Sequence, residues 1–273
     1  MKTLKSKLTL SGNGLMSNIP ATFEMAPSNE KGIRFHFEDG GVINANVNNV
    51  VSTDHCVVLA DVENGAKHKI ALVEHFMASC AIVGIDALDV FVKGGYETPI
   101  FDGSAKVWVE EFNKVGFEGE CESNKPLLKP IIFQSGKSSI VLIPASKTTI
   151  TYSVNFNHPE LKNRWTTLIP DVNLNEIVEA RTFGYLKDLE TFQKMGFSKG
   201  VTIDNTVGLT EDGYTTALRS EFEPVKHKIL DIIGDLYLTG YNPFGLNADI
   251  LVKEAGHGYH VECAKNVLKA LSN

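Results

Sequence analysis

The chain holds 273 residues, 43% of them hydrophobic and 22% charged, with a formal net charge of −7. That composition is expected of a soluble globular protein with room for one large domain or two ordinary ones. The acidic balance argues against a broad nucleic-acid footprint, and no stretch approaches the roughly 18 apolar residues of a membrane span.

The N-terminus, Met1-Lys2-Thr3-Leu4-Lys5-Ser6-Lys7, is basic, but Leu8-Thr9-Leu10-Ser11-Gly12-Asn13-Gly14 is no signal-peptide core. Cys56, Cys80, Cys121 and Cys263 are scattered without a C-x-x-C pair. Free thiols in a reducing cytoplasm are the expectation.

Alternating apolar residues predict short strands at residues 7–10, 32–37 and 41–47, with a further strand at 57–60. A helix is expected from about 71 to 83, closed by Gly84, followed by a strand over 86–92. Gly94-Gly95 and Pro99 mark a loop, and Ser104 is placed to cap a helix over 105–115 that ends at Gly116. Residues 119–130 are polar and proline-bearing, with no apolar period, so the boundary between units 1–120 and 126–273 is placed there. Strands resume at 131–133, 139–143 and 148–156. A helical stretch over 175–195, interrupted near Thr182-Phe183-Gly184, precedes a helix at 224–238, a strand at 249–252 and a last helix at 261–271. Each half therefore runs strands, helix, strand, helix. No repeat is visible at a fixed short period, yet two domains of similar α+β plan are expected.

The most informative stretch is Val225-Lys226-His227-Lys228-Ile229-Leu230-Asp231-Ile232-Ile233-Gly234-Asp235. On a helix His227 and Asp231 leave the same face one turn apart, and Asp235 continues that stripe. Apolar residues cover much of the rest, which marks a buried helix. Burying three ionisable groups is costly unless a metal or partner compensates. An imidazole and a carboxylate so placed can share one zinc ion.

Val73-Glu74-His75-Phe76 offers a third ligand in His75. Adjacent helical side chains point about 100° apart, so Glu74 is free to face a water as general base. Two His and one Asp leave a fourth position open, the mark of a catalytic site. Alone, His75 reads as a satisfied core histidine; the His227/Asp231 pair reverses that.

Gly256-His257-Gly258 sets a histidine where the backbone can turn sharply, either a general acid oriented by Asp235 or a solvated turn residue. Thr182 offers a hydroxyl to an oxyanion or a local cap. Lys228 reaches either substrate oxygens or solvent. Phe156-Asn157-His158-Pro159 reads as a turn beside a pocket, and Pro99-Ile100-Phe101-Asp102-Gly103-Ser104 as structural.

Taken with Ala180-Arg181-Thr182-Phe183-Gly184, His227-Lys228-x-Leu230-Asp231-x-x-Gly234-Asp235-Leu236 and Gly256-His257, these motifs resemble the zinc-dependent UDP-3-O-acyl-N-acetylglucosamine deacetylases of lipid A synthesis. They fall in the family's order and span nearly the whole chain. The resemblance implies two α+β domains, each a sheet packed on two helices, with the active site between them. It implies zinc on His75, His227 and Asp231, and iron(II) suits the same donors. It implies Glu74 as general base, His257 as general acid, Asp235 as support for His257, and Thr182 at the oxyanion. Lys228, Phe183 and Phe156 would contact substrate, with Phe183 and residues 200–208 lining a passage for the acyl chain.

The chain departs from the family pattern at Met16, where histidine is usual, in the apolar strand Ile140-Val141-Leu142-Ile143, and at Glu254, where lysine is usual. Asp54-His55-Cys56-Val57-Val58-Leu59 lacks the usual threonine-rich pattern. The expected activity is N-deacetylation of the UDP-sugar, releasing acetate. The alternatives are a paralogous zinc amidase for another N-acetyl sugar and a non-catalytic binding protein on the same fold. The expected partner is a nucleotide-sugar lipid precursor, with no nucleic acid, at most peripheral membrane contact, a monomeric state and a cytoplasmic location.

Overall fold

The computed structural model describes residues 1–272. The chain opens with β1 (Thr3–Leu4), β2 (Leu8–Asn13), β3 (Pro20–Pro27), β4 (Gly32–Phe37) and β5 (Val42–Asn44). Short strands β6 (Val50–Ser52), β7 (Val58–Ala60) and β8 (Lys69–Ala71) precede helix α1 (Val73–Val83). Strand β9 (Ala87–Gly94), helix α2 (Lys106–Val115) and β10 (Phe117–Glu118) complete the N-terminal half. The C-terminal half holds β11 (Ile131–Ser135), β12 (Ser138–Pro144), β13 (Thr149–Val154), β14 (Arg164–Leu168), α3 (Pro170–Val178), β15 (Thr182–Tyr185), α4 (Leu186–Lys194) and β16 (Thr206–Leu209). Helix α5 (Glu223–Tyr237), strand β17 (Ala248–Lys253) and helix α6 (His257–Ser272) follow. The architecture is α+β.

The two halves repeat one connectivity. One sheet has the order β2-β3-β9-β4-β5 and the other β11-β12-β17-β13-β14. In each, the strand that follows the central helix enters the middle, parallel to one neighbour (β4 or β13) and antiparallel to the other. Alternate residues of each strand form the buried face: Ala21, Phe23 and Met25 on β3, Leu88, Val90 and Val92 on β9, Ile140 and Leu142 on β12, Ile250 and Val252 on β17. Helix α2 packs on α1 and α6 on α5, while α1 and α5 pack on one another.

Every residue of α1 from Val73 to Ala81 is buried, as is every residue of α5 except Lys228. Both helices begin after an apolar residue in the left-handed region, Leu72 (φ 62°) and Phe222 (φ 55°), with no side-chain cap. Their close approach depends on Gly234, because a β-carbon there would overlap the Glu74 carbonyl. The start of α5 is fixed by Glu223, fully buried, which accepts from Arg181 Nε at 2.9 Å and Nη2 at 3.1 Å and from the Arg219 amide at 2.7 Å.

The structure differs from the sequence reading in several places. The short strands β1, β6, β8, β10 and β16 have no counterpart in it, nor does strand β14 (Arg164–Leu168) at the edge of the second sheet. Strand β3 was not expected, although Ala21, Phe23 and Met25 alternate inward between its terminal prolines. The expected helical stretch over 175–195 is α3, then β15, then α4. Tertiary partners override the helical pattern there: Thr182 N–H donates to Gly103, Arg181 is clamped by Glu223, and β15 pairs with β16. The last helix begins at His257 rather than 261, since Gly256 and Gly258 hide its first turn from propensity.

Replacing Gly234 with alanine is expected to force α1 and α5 apart and to cost about 2 kcal/mol or more of stability. Chemical denaturation checks this, and a midpoint equal to wild type would show that the helices do not depend on the contact.

Candidate active site

The α1/α5 contact brings the three strongest sequence candidates together. His75 Nε2 and His227 Nε2 lie 3.2 Å apart, and Asp231 Oδ1 lies 3.7 Å from the first and 3.4 Å from the second. All three residues are buried. His227 Nδ1 donates to the Ala180 carbonyl at 2.9 Å, which fixes the tautomer and turns the Nε2 lone pair toward its neighbours. Burial outweighs the attraction of Asp231 and brings His227 down to about 4, so it is neutral at pH 7. Burial opposes ionisation of Asp231, but Lys228, His227 and His257 outweigh it and hold the carboxyl well below its usual range.

Lys228 Nζ takes Asp231 Oδ2 at 2.6 Å, leaving Oδ1 buried without a hydrogen-bond partner. A carboxylate oxygen without a hydrogen-bond partner beside the Nε2 atoms of two imidazoles is a donor set that fits a divalent cation. The three donor atoms lie close enough together for one ion to meet them all. Zinc and iron(II) both match nitrogen and oxygen donors of this kind.

Glu74 stands beside this triplet at the start of α1. Its Oε2 accepts from the Val57 amide at 3.0 Å, and its Oε1 lies 3.8 Å from His257 Nε2. Burial raises its carboxyl above the usual range, partly opposed by His257 and His75. His257 Nε2 is also 3.8 Å from Asp231 Oδ2, while its Nδ1 meets Asp235 Oδ2 at 2.8 Å. Burial disfavours charge on His257, but Asp235, Asp231 and Glu74 outweigh it and raise the imidazole to about 9. A base poised upward and a charged acid thus face each other across one space.

That space is a cavity of about 210 Å³ lined by Glu74, His75, Thr182, Phe183, His227, Lys228, Asp231 and His257, together with Leu15, His55 and Leu72. Leu15, His55, Thr182 and Phe183 also line a neighbouring cavity of about 370 Å³. The larger one is mostly apolar, walled by Leu186, Leu189, Phe192, Phe197, Val201 and Ile203.

A family model described as UDP-3-O-acyl N-acetylglycosamine deacetylase matches residues 1–269. The chain belongs to this family. A UDP-3-O-acyl-N-acetylglucosamine deacetylase of Leptospira biflexa is 32% identical over 280 residues, covering 99% of this chain and 90% of the relative. A relative of the same name from Nostoc is 34% identical, covering 99% of both chains. Another from Geotalea uraniireducens is 35% identical over 254 residues, covering 89% of this chain and 81% of the relative. Family membership makes the chain a deacetylase-type hydrolase, and metal dependence is a property of the family.

The structure brings together Glu74, His75, Thr182, Phe183, His227, Lys228, Asp231 and His257 around one cavity, with Asp235 behind His257. Of residues 200–208, Val201, Thr202, Ile203, Thr206 and Gly208 line the apolar cavity. Phe156 lines neither cavity; it packs its ring against Phe183 at 5.4 Å. His158 is buried and meets the Gly213 carbonyl through Nε2 at 2.9 Å. Of the departures, Met16 lines the apolar cavity and Ile143 is exposed on its sheet, while Glu254 pairs with Lys137 at 3.0 Å.

Sequence reasoning missed His55, which lines both cavities from a left-handed position (φ 65°) and meets Phe192 edge-on at 5.0 Å. It missed Glu97, whose carboxylate accepts from the Met16 and Ser17 amides at 2.7 and 2.8 Å and so fixes the turn bearing Leu15. The lone His55 carried no pattern, and no local signal marks Glu97.

Asp231→Ala is expected to lower metal affinity by more than the about 10–100-fold typical of losing an outer-sphere partner. Equilibrium dialysis with metal analysis checks this, and full occupancy in the variant would remove Asp231 from the ligand set.

Proposed function

We propose that this chain hydrolyses the N-acetyl group of UDP-3-O-acyl-N-acetylglucosamine, releasing acetate, as a step of lipid A biosynthesis. The observation that carries the reading is the adjacency of the polar cavity, with an acid and a base facing a cation-binding triplet, to the apolar cavity, which suits an acyl chain. The relatives named for this activity match essentially the full length of the chain.

His75, His227 and Asp231 would hold the metal. A bound divalent cation supplies Lewis-acid polarisation of the acetamide carbonyl and lowers the pKa of water. Glu74, held by the Val57 amide, takes one proton from the water whose oxygen attacks the carbonyl carbon. The Thr182 hydroxyl, on the wall between the two cavities, donates to the oxygen that becomes negative. His257, protonated and oriented by Asp235, delivers its Nε2 proton to the sugar nitrogen as the C–N bond breaks. Acetate and the free amine leave. Lys228 keeps Asp231 ionised and presents its ammonium to the substrate edge of the cavity. Phe183 closes the wall beside Thr182, and Phe156 backs it. No helix among the described residues is long and apolar enough to cross a membrane. We read the protein as a cytoplasmic monomer that meets its lipid-linked substrate at most peripherally.

A second reading keeps this chemistry for another N-acetyl sugar. It is favoured by the exposed aliphatic Ile143 and by Glu254, whose carboxylate is engaged by Lys137. Turnover of UDP-3-O-acyl-N-acetylglucosamine by the metal-loaded protein decides between the two. Metal bound without acetate release would favour the second.

Glu74→Gln is expected to keep the metal and lose about 10²–10⁴ in kcat; unchanged turnover would end the general-base assignment. Activity should also follow a bell in pH. It rises as Glu74 loses its proton and falls on the alkaline side as His257 loses its own, in the order set by a raised carboxyl and a still higher imidazole. A bound cation moves both limbs to lower pH without reordering them. A kcat/KM profile flat through the alkaline limb would count against His257 as the acid.

A further inference from the structure

Asp235 is fully buried and uses one oxygen for two imidazoles. His257 Nδ1 and His260 Nδ1 each lie 2.8 Å from Oδ2, while Oδ1 has no hydrogen-bond partner. Both rings must present Nδ1–H, because an ionised carboxylate only accepts. His260 stands one helical turn after His257 on α6 and is itself fully buried. Burial keeps it in the neutral form. Its Nε2 then faces the Tyr152 hydroxyl at 2.9 Å, and that hydroxyl also lies 2.7 Å from the Ala255 carbonyl. With one proton for two acceptors, the phenol bridges them in a three-centre bond.

The contacts form a closed loop. Tyr152 on β13 holds Ala255, two residues ahead of His257, and through His260 and Asp235 it also holds the His257 ring. The side chain and the backbone of His257 are thus referenced to one point in the sheet. With Oδ1 unpartnered, the rotation of the Asp235 carboxylate is set by the two imidazoles that converge on Oδ2. Removing His260 leaves His257 as the only group holding it.

We infer that His260, braced by Tyr152, is a positioning residue for the general acid His257, acting through Asp235. The inference rests on the deacetylase reading for the role of His257. What it adds is a second imidazole on the orienting carboxylate and a tie between that carboxylate and the segment that precedes α6.

The test uses the ring geometry of histidine, since Asn reproduces a donor at the Nδ1 position and Gln a group at the Nε2 position. In the metal-loaded protein, His260→Leu is expected to lose about 10–100-fold in kcat, the usual effect of removing an outer partner, with KM and metal content unchanged. His260→Asn should recover most of that loss, His260→Gln should not, and Tyr152→Phe should fall between. Unchanged kcat in His260→Leu, or equal loss in His260→Asn and His260→Leu, would overturn the proposal. A readout without turnover comes from ¹⁵N-histidine NMR. Protonated Nδ1 signals are expected for both His257 and His260, with that of His257 displaced in His260→Leu and retained in His260→Asn. An unprotonated His260 Nδ1 would sink the donor role whatever the activity. A wild-type protein that shows these signals but does not turn over the UDP-sugar would instead count against the proposed function.

Discussion

The site depends on one backbone contact, Gly234 of α5 against the Glu74 carbonyl of α1. Without it the two helices stand further apart and the His75 ring no longer lies beside His227. With it, Glu74, His75, His227, Asp231 and Asp235 occupy one buried volume. Burying so many ionisable groups is unfavourable unless each is neutralised or paired. Paired they are. Lys228 acts on Asp231, the His257 and His260 imidazoles on Asp235, and the Val57 amide on Glu74. Two carboxylate oxygens are left without a hydrogen-bond partner, Asp235 Oδ1 and Asp231 Oδ1. Only the second lies beside the His75 and His227 Nε2 atoms, which points to where a cation belongs.

The repeated connectivity explains where the walls come from. Each half is four strands, a buried helix, a central strand and a covering helix, and each carries an insertion just ahead of the ligand-bearing helix. In the first half the insertion is β6–β8 with the Asp54–His55 turn. In the second it is α3, β15, α4 and β16. The two sit at equivalent positions, so when α1 and α5 pack together both insertions reach the same cavity. His55 arrives from one, Thr182, Phe183 and Phe192 from the other. The chemistry is carried mainly by the shared plan, while the insertions supply the apolar cavity.

Much of this was legible because its physical cause is local. His227 and Asp231 are one turn apart on an all-round apolar helix, which already implies burial and compensation, and α5 is buried at every position but Lys228. Glu74 and His75 follow from adjacency on a second such helix. What stayed hidden is set by partners far away in sequence. Strand β15 was read as a helix break because its determinants are Gly103, Glu223 and β16. Helix α6 begins at His257 because the tertiary contacts of His257 and His260 hold a turn that two glycines weaken. Glu97 and Tyr152 look ordinary in the sequence and acquire meaning only through the amides, carbonyl and ring that they meet.

Charge balance links the cation triplet to the acid. When Glu74 is ionised, three carboxylates (Glu74, Asp231 and Asp235) face Lys228 and a charged His257, and the buried cluster then carries one uncompensated negative charge. A divalent cation reverses that sign. The reversed field favours the negative oxygen that develops on the acetamide and makes Glu74 easier to ionise. It also makes the His257 proton easier to release, because the carboxylate attraction that raises His257 is then partly cancelled. Asp235 is shielded from that cancellation: it lies behind His257, and the two imidazoles hold its Oδ2. One carboxylate thus keeps the acid in place while the others answer to the metal. That division of labour requires Asp231 and Asp235 to differ in their partners although they stand a single helical turn apart.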